Sequence, residues 1–249
     1  MSDLEHRRCD YPFYNDEPAS TTWIDWIIVL LALALGFATL EFFSTSAWLG
    51  SKTDTVLRAF LFCAIPLAAF VWRFRPHSTE IFRGWRWSYL GWGVVIGILN
   101  LLFTFVIGML AIKRMGLASN GMAKTLEGGG IPDGPAIFYL STGIQLFGEE
   151  VITILPFLFL LWLGVQKIGM SRSVAIFFAW LGSALIFGAL HLPTYGWNFI
   201  QALLLIGPVR LVLTLAYLKT KSIWASTIAH IVNDWAMFTF VIIASALPK

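Results

Sequence analysis

An apolar run at residues 136–165 is long enough to span a bilayer and contains two adjacent carboxylates, Glu149 and Glu150. A spanning helix needs about 20 predominantly apolar residues. A carboxylate in hydrocarbon costs roughly 2.5–3.5 kcal/mol on insertion scales unless water, a partner or a proton relieves it. The pair therefore indicates a membrane helix whose charged side chains face a protein interior and serve a function.

Composition predicts that the whole chain lies in a membrane. Hydrophobic residues make up 58% of the chain and charged residues 12%, whereas about 25% of the residues of a soluble domain are charged. We predict an all-α polytopic transmembrane helix bundle of about seven spans, within a range of six to eight. The other six predicted spans are 23–42, 56–72, 88–112, 173–191, 198–218 and 222–246.

The predicted domain organisation is simple. Residues 1–22 form a polar tail, expected to be mobile, without the basic start and apolar core of a signal peptide. Residues 23–249 form a single transmembrane domain, in which 23–112 holds the first three helices. A Gly/Pro-rich loop at 113–135 cannot continue a helix and precedes a core at 136–246. The sequence shows no internal repeat of the kind that a duplicated transporter fold would carry.

Basic residues predict the orientation. With seven helices, ten Lys and Arg lie on the side of the N-terminus and six on the other: Arg7, Arg8, Arg73, Arg75, Arg83, Arg86, Lys167, Arg172, Lys219 and Lys221, against Lys52, Arg58, Lys113, Arg114, Lys124 and Lys249. The positive-inside rule favours a cytoplasmic N-terminus. We expect an integral protein of a prokaryotic plasma membrane, with the lipid bilayer as its partner. The net charge of +3 gives no reason to expect nucleic acid, because basic residues beside membrane spans produce the same balance.

Few acidic side chains and histidines follow Asp133, and all of them lie in or beside apolar segments. They are three acids and two histidines: Glu149, Glu150, Asp234, His191 and His230. Such residues normally face a bundle interior or a wet cavity, so one shared site is the economical arrangement. Helical spacing supports it, because His230 shares a helix face with Asn233 and Asp234.

These side chains suit hydrolysis. A glutamate in a partly dry cavity can take a proton from water, while imidazole and amide groups can hold the developing oxyanion. We therefore expect a reaction that needs no cofactor. The alternative is Zn²⁺ bound by Glu149, His191 and His230 with one open position, although the usual H-E-x-x-H spacing is absent.

Three sequence motifs resemble those of the CPBP intramembrane proteases, also called the Abi family, which include the type 2 CAAX prenyl proteases. The family motifs are E-E-x-x-x-R, F-x-x-x-H and H-x-x-x-N or -D. Here they correspond to Glu149-Glu150, Phe187-Gly-Ala-Leu-His191 and His230-Ile-Val-Asn233-Asp234, in the same order and on predicted helices 4, 5 and 7. The resemblance implies an intramembrane endopeptidase that hydrolyses a peptide bond of a membrane-associated protein or peptide. The family has also been classed as metalloprotease.

The resemblance also implies a role for each candidate site residue. Glu149 would activate water beside Glu150, and His191 would assist. His230, with Asn233 or Asp234, would stabilise the oxyanion.

One motif position departs from the family. Ile154 stands where the family has arginine, so Glu150 is expected to be protonated or to find another donor, such as Arg210 in the sixth span. This departure favours an alternative, a catalytically inactive scaffold or immunity-type protein on the same fold. A third reading is a proton-coupled transporter, which should show a path across both leaflets, whereas a protease should hold Glu149, His191 and His230 within about one water of each other.

Overall fold

A computed structural model describes residues 10–115, 125–126, 131 and 133–246. Within these residues, seven helices are long and apolar enough to cross a membrane, as the sequence predicts. They are α1 (Trp23–Phe42), α2 (Ser51–Arg73), α3 (Trp87–Met115), α4 (Pro135–Lys167), α5 (Arg172–Leu190), α6 (Phe199–Thr220) and α7 (Ile223–Ala246). The predicted all-α bundle is confirmed, and the largest shift in a predicted boundary is the start of α2, from 56 to 51.

The α4 helix is the centre of the bundle. It contacts α1, α2, α5 and α7, and every residue from 151 to 158 is buried. This stretch follows directly after the two glutamates and contributes most of its side chains to the main hydrophobic cluster. Helices alternate in direction, so the bundle has a near end, where α1 begins, and a far end, where α1 ends.

Small residues bring α3 against α7. A Cβ added at Gly93 would lie 2.7 Å from Ile228 Cβ, and one added at Gly97 would lie 2.8 Å from the carbonyl oxygen of Ala229. Without side chains at these two positions the helix backbones approach closely, as small-xxx-small pairs allow in membranes. The close approach carries the polar residue Asn100 of α3 to the face of α7.

The prediction of a mobile tail is wrong for residues 10–22, the part of the tail that the structure describes. Tyr11, Phe13 and Tyr14 are buried in the main hydrophobic cluster at the near end, and Asp10 forms an ion pair of 2.5 Å with Arg172 of α5. Burial raises the pKa of the Asp10 carboxyl, but hydrogen bonds from Arg172 and Tyr14 outweigh it and leave that pKa below its ordinary value of 3.8. Residues 1–9, and most of the predicted loop at 113–135, lie outside the described residues.

Candidate active site

A cavity of about 430 Å³ lies between α4, α5, α6 and α7, in the half of the bundle toward the far end. Five of the six predicted site residues line it: Glu149, His191, His230, Asn233 and Asp234. Most of the other lining residues are apolar, as in most ligand sites. The sixth predicted residue, Glu150, is fully buried behind the cavity wall.

The two adjacent glutamates point in different directions because successive residues on a helix are about 100° apart. The Glu149 side chain faces the cavity and is 13% exposed, whereas that of Glu150 is 0% exposed. Gln145, one turn earlier on the same face, donates from Nε2 to Glu149 Oε1 at 3.0 Å. This bond fixes one carboxylate oxygen and leaves Oε2 on the cavity side.

A buried ion pair neutralises Glu150. Arg210 of α6 donates from Nη2 to Glu150 Oε2 at 2.6 Å, and neither side chain is exposed. Ile154, which replaces the motif arginine, is fully buried in the hydrophobic cluster. The expectation that Glu150 finds another donor in Arg210 is therefore confirmed, since the cation comes from a different helix.

Phe187 connects this ion pair to the second motif. The Arg210 guanidinium lies 4.8 Å from the centroid of the Phe187 ring, a cation–π geometry. The same ring lies 4.4 Å from the imidazole of His191. The motif phenylalanine therefore packs between the buried cation and the histidine at the end of α5.

His230 has carboxylates at both edges of its ring. Its Nδ1 lies 2.8 Å from Glu150 Oε1, and its Nε2 lies 3.6 Å from Glu149 Oε2 and 3.8 Å from Asp234 Oδ1. Arg210 Nη1 lies 3.3 Å from the same Nδ1. The Glu150 carboxylate can only accept and is closer to Nδ1 than Arg210 is, so we assign Nδ1 a proton that it donates to Glu150. Nε2 then faces the cavity.

Asn100 of α3 extends the site beyond the segment that sequence analysis assigned to it. Its Nδ2 donates to Asn233 Oδ1 at 3.0 Å, and Asn233 Nδ2 donates to Asp234 Oδ1 at 2.7 Å. Asn100 and Asn233 are 0% and 2% exposed. This chain of hydrogen bonds orients the Asp234 carboxylate beside His230. A lone asparagine in an otherwise apolar span was the available sequence signal for Asn100.

His191 lines the cavity where α5 ends. Its Nδ1 donates to the carbonyl oxygen of Phe187 at 2.9 Å, which leaves Nε2 as the unengaged ring nitrogen. Gly188 makes this corner possible, because a Cβ there would lie 2.5 Å from the carbonyl oxygen of Ala202 in α6. The structure thus joins Glu149, Glu150, His230 and Asp234 in one network, and His191 lines the same cavity.

The three side chains named for the zinc alternative do not form a cluster of metal ligands in the part of the chain that the structure describes. Among the described residues, no group of three His, Cys, Asp or Glu side chains is placed to hold a metal ion. Of the three suggested ligands, His191 uses Nδ1 for the Phe187 carbonyl and contacts neither Glu149 nor His230 through any polar bond in the described structure.

Two smaller cavities continue from the main one toward α1 and α2. A narrow space of about 50 Å³ has Glu149 and His191 on one side and Glu41 on the other. A space of about 300 Å³ then follows, with Glu41, Arg58 and Gln145 in its wall. Gln145 lines all three cavities, and Glu149 lines the first two.

The comparisons with known proteins agree with the motifs. Residues 132–236 match the model of a protein family described as type II CAAX prenyl endopeptidase Rce1-like. The matched segment contains all six predicted site residues and Arg210. No curated protein and no solved structure matches the chain.

Proposed function

We propose that the chain, whose residues 132–236 match the model of the Rce1-like family of type II CAAX prenyl endopeptidases, hydrolyses a peptide bond of a membrane-associated substrate by a glutamate mechanism. The observation that supports the proposal is the difference between the surroundings of the two glutamate side chains. Glu150 is buried against Arg210, while Glu149 presents Oε2 to the cavity. Glu149 is not paired with an arginine, whereas its neighbour Glu150 is. The Glu149 carboxylate is therefore suited to act as a general base.

The first step is attack by water on the scissile carbonyl carbon. Glu149 Oε2 takes a proton from the water as the C–O bond forms, while Gln145 holds Oε1. His191 Nε2, which faces the cavity, accepts the other hydrogen of that water and fixes its position. The carbonyl π electrons move to oxygen and give a tetrahedral oxyanion.

The oxyanion is stabilised from the α7 side. With carboxylates at both ring edges, His230 suits the imidazolium form, in which both ring nitrogens donate. Nδ1 donates to Glu150, and Nε2 donates to the oxyanion, as preorganised donors do in other acyl-transfer sites. Asn233 and Asp234 position this ring rather than contact the substrate.

The second step breaks the C–N bond. Protonated Glu149 returns its proton to the leaving nitrogen as the oxyanion collapses, and the products are a carboxylic acid and an amine, which exchange a proton to become a carboxylate and an ammonium. The carboxylate base is restored for another cycle. All atoms are supplied by the peptide and one water, so this chain needs no oxidant, reductant or second substrate.

The core below the site supports hydrolysis over proton-coupled transport. Every α4 residue from 151 to 158 is buried, and the cavity lined by Glu149 and His230 lies on the far-end side of this stretch. A transporter needs alternating access from both faces to its midplane site. A one-sided chamber above a dry core fits a hydrolase.

The test is proteolysis by the purified full chain in detergent, with a panel of membrane-anchored peptides and mass spectrometry of the products. We expect Glu149→Gln to lower kcat by about 10²–10⁴-fold, the usual contribution of a general base. The matched control is Glu80→Gln, which makes the same change at the near end. Wild-type activity should persist in EDTA. Full activity of Glu149→Gln would rule out the glutamate mechanism. Loss of wild-type activity in EDTA and its recovery with Zn²⁺ would instead indicate a metal-dependent mechanism.

A further inference from the structure

Four basic side chains lie close together at the near end of the bundle. We call them the basic cluster, and they are Arg83, Arg172, Lys219 and Lys221. The Arg172 guanidinium lies 5.7 Å from the centroid of the Tyr11 ring, and Lys221 Nζ lies 5.5 Å from the same centroid. Arg83 donates from Nη2 to the carbonyl oxygen of Asp10. The cluster thus joins the α2–α3 connection, the start of α5 and the end of α6.

The cations of this cluster outnumber the carboxylate beside them. Asp10 is the acidic group that acts on Lys221, whereas the other three members of the cluster act on it as cations. Four positive charges against one carboxylate leave three positive charges in excess among these five side chains. The contact that the described structure gives the Lys221 ammonium is the face of the Tyr11 ring, and not a carboxylate. An anion at this place would be attracted by all four cations.

The environment of Lys221 reflects the excess of positive charge. Lys221 lies in the turn between α6 and α7, outside the spans. Burial lowers the pKa of its ammonium below the ordinary value of 10.5, the Asp10 carboxylate opposes this change, and the other three cations add to it. Because an anion beside the ammonium would reduce the repulsion, binding of an anion and protonation of Lys221 favour each other.

Contacts with the rest of the protein hold the donors of the cluster in place. Asp10 accepts from Nε and Nη2 of Arg172, which leaves Nη1 of that guanidinium for another acceptor. The backbone of Lys221 is left-handed, with a φ of 54°, and its N–H donates to the carbonyl oxygen of Tyr217 at 2.7 Å. Donors that are ordered before binding lose less conformational entropy when a ligand arrives.

Tryptophans place the basic cluster at the depth of the lipid headgroups. Trp85 and Trp87 follow Arg83 in the chain and are exposed, and Lys219 Nζ lies 5.0 Å from the centroid of the Trp92 ring. Tryptophans at the ends of spans mark the boundary between hydrocarbon and headgroups. The anion that meets this cluster in a bilayer is therefore the headgroup of a lipid.

We propose that the basic cluster binds the phosphate group of an anionic phospholipid. Arginine and lysine donate charge-assisted hydrogen bonds to phosphate oxygens, and basic pockets between transmembrane helices bind lipid headgroups. The lipid stabilises the bundle because it binds the folded state and connects three of its segments. The proposal does not rest on the proposed function, since none of the four basic residues lines the cavities that contain Glu149.

The test is a lipid titration of the full chain in a neutral detergent, followed through the thermal unfolding midpoint. Phosphatidylglycerol is compared with phosphatidylcholine of the same chain length, and we expect the anionic lipid alone to raise the midpoint. Lys221→Gln should weaken the apparent affinity for phosphatidylglycerol about fivefold, because the attraction of one cation near the membrane surface is lost. Lys219→Gln, on an exposed side chain, should also weaken it and does not alter the turn at Lys221. Lys52→Gln, the matched change on an exposed side chain at the far end, should keep the wild-type affinity.

Unchanged affinity in both Lys219→Gln and Lys221→Gln would overturn the proposal. An equal loss in Lys52→Gln would also overturn it, because the attraction would then come from the overall charge of the protein. The same shift with inorganic phosphate alone, at the concentrations used for the lipid, would overturn the assignment to a lipid and indicate a free anion. A difference between wild type and Lys221→Gln that shrinks as salt is added supports the proposal, since salt screens charges near the surface.

Discussion

Arg210 of α6 and Glu150 of α4 form an ion pair of 2.6 Å in which neither side chain is exposed to solvent. The residues are separated by 60 positions in the chain, whereas the family motif places its arginine four positions after the second glutamate, where this chain has Ile154. A cation is thus retained at the second glutamate although its position in the sequence has changed. Loss of the motif arginine is therefore not by itself a sign of an inactive relative.

Arg210→Met should destabilise the protein, because it removes the arginine paired with the buried Glu150 and leaves that carboxylate with the His230 imidazole alone. Breaking a buried pair from one side costs about 3–5 kcal/mol, so we expect a large fall in the thermal unfolding midpoint in detergent. Arg210→Met combined with Glu150→Gln should recover much of that loss, since no uncompensated charge remains. Equal midpoints for the single and double variants would show that the cost comes from packing and not from charge.

Ile154→Arg should partly restore an Arg210→Met variant. A residue four positions after Glu150 lies on the same helix face, so the new guanidinium can reach the carboxylate from α4 itself. Overpacking at this buried position costs about 1–3 kcal/mol, which limits recovery. The measurement is peptide cleavage alongside thermal unfolding. No gain in either over Arg210→Met would mean that Ile154 does not face Glu150 closely enough for exchange.

Gly97→Val should separate α3 from α7 and disturb the site at a distance. A Cβ at Gly97 would lie 2.8 Å from both the Ala229 carbonyl oxygen and Val232 Cβ, and Asn100 lies one turn further along α3. We expect a lower unfolding midpoint and a reduced kcat. Gly91→Val is the control, because nothing lies within 4 Å of a Cβ at that position. Similar behaviour of the two variants would argue against close packing as the cause.

The Asp10–Arg172 ion pair should make stability depend on pH at the acidic end. The pKa of Asp10 lies below its ordinary value of 3.8, so its contribution is present above about pH 4 and is lost as pH falls through the folded-state pKa. Asp10→Asn should therefore unfold at a lower temperature than wild type at pH 6. The difference should shrink below about pH 4. A constant difference across this range would contradict an ionised Asp10 as its source.

Prediction from the sequence was most successful for residues that are stable in only a few kinds of environment within a membrane. Long apolar runs predicted the spans, and buried ionisable groups predicted one shared site because each needs a partner. The pairing of Glu150 with Arg210 followed from the same logic. These inferences depend on local composition and on charge, both of which can be read along the chain.

Contacts between residues far apart in the sequence were not predicted where no sequence pattern singled those residues out. Asn100 and Asn233 are 133 positions apart, and a single amide in an apolar helix does not say which neighbour it meets. Tyr11 donates to the carbonyl oxygen of Leu218, 207 positions away. Three aromatic residues in a short polar segment show no helical or strand period, so their burial depends on a surface that exists only after the helices assemble.

The buried stretch of α4 also determines where the membrane potential falls. Water that fills the cavity would conduct, whereas the buried residues 151–158, together with the buried Tyr11, Phe13 and Tyr14, form the insulating layer. Most of the voltage difference should therefore drop between Glu150 and the near end, and Glu149 should sit close to the electrical potential of the compartment beyond the far end. The reaction at Glu149 should therefore depend little on the membrane voltage.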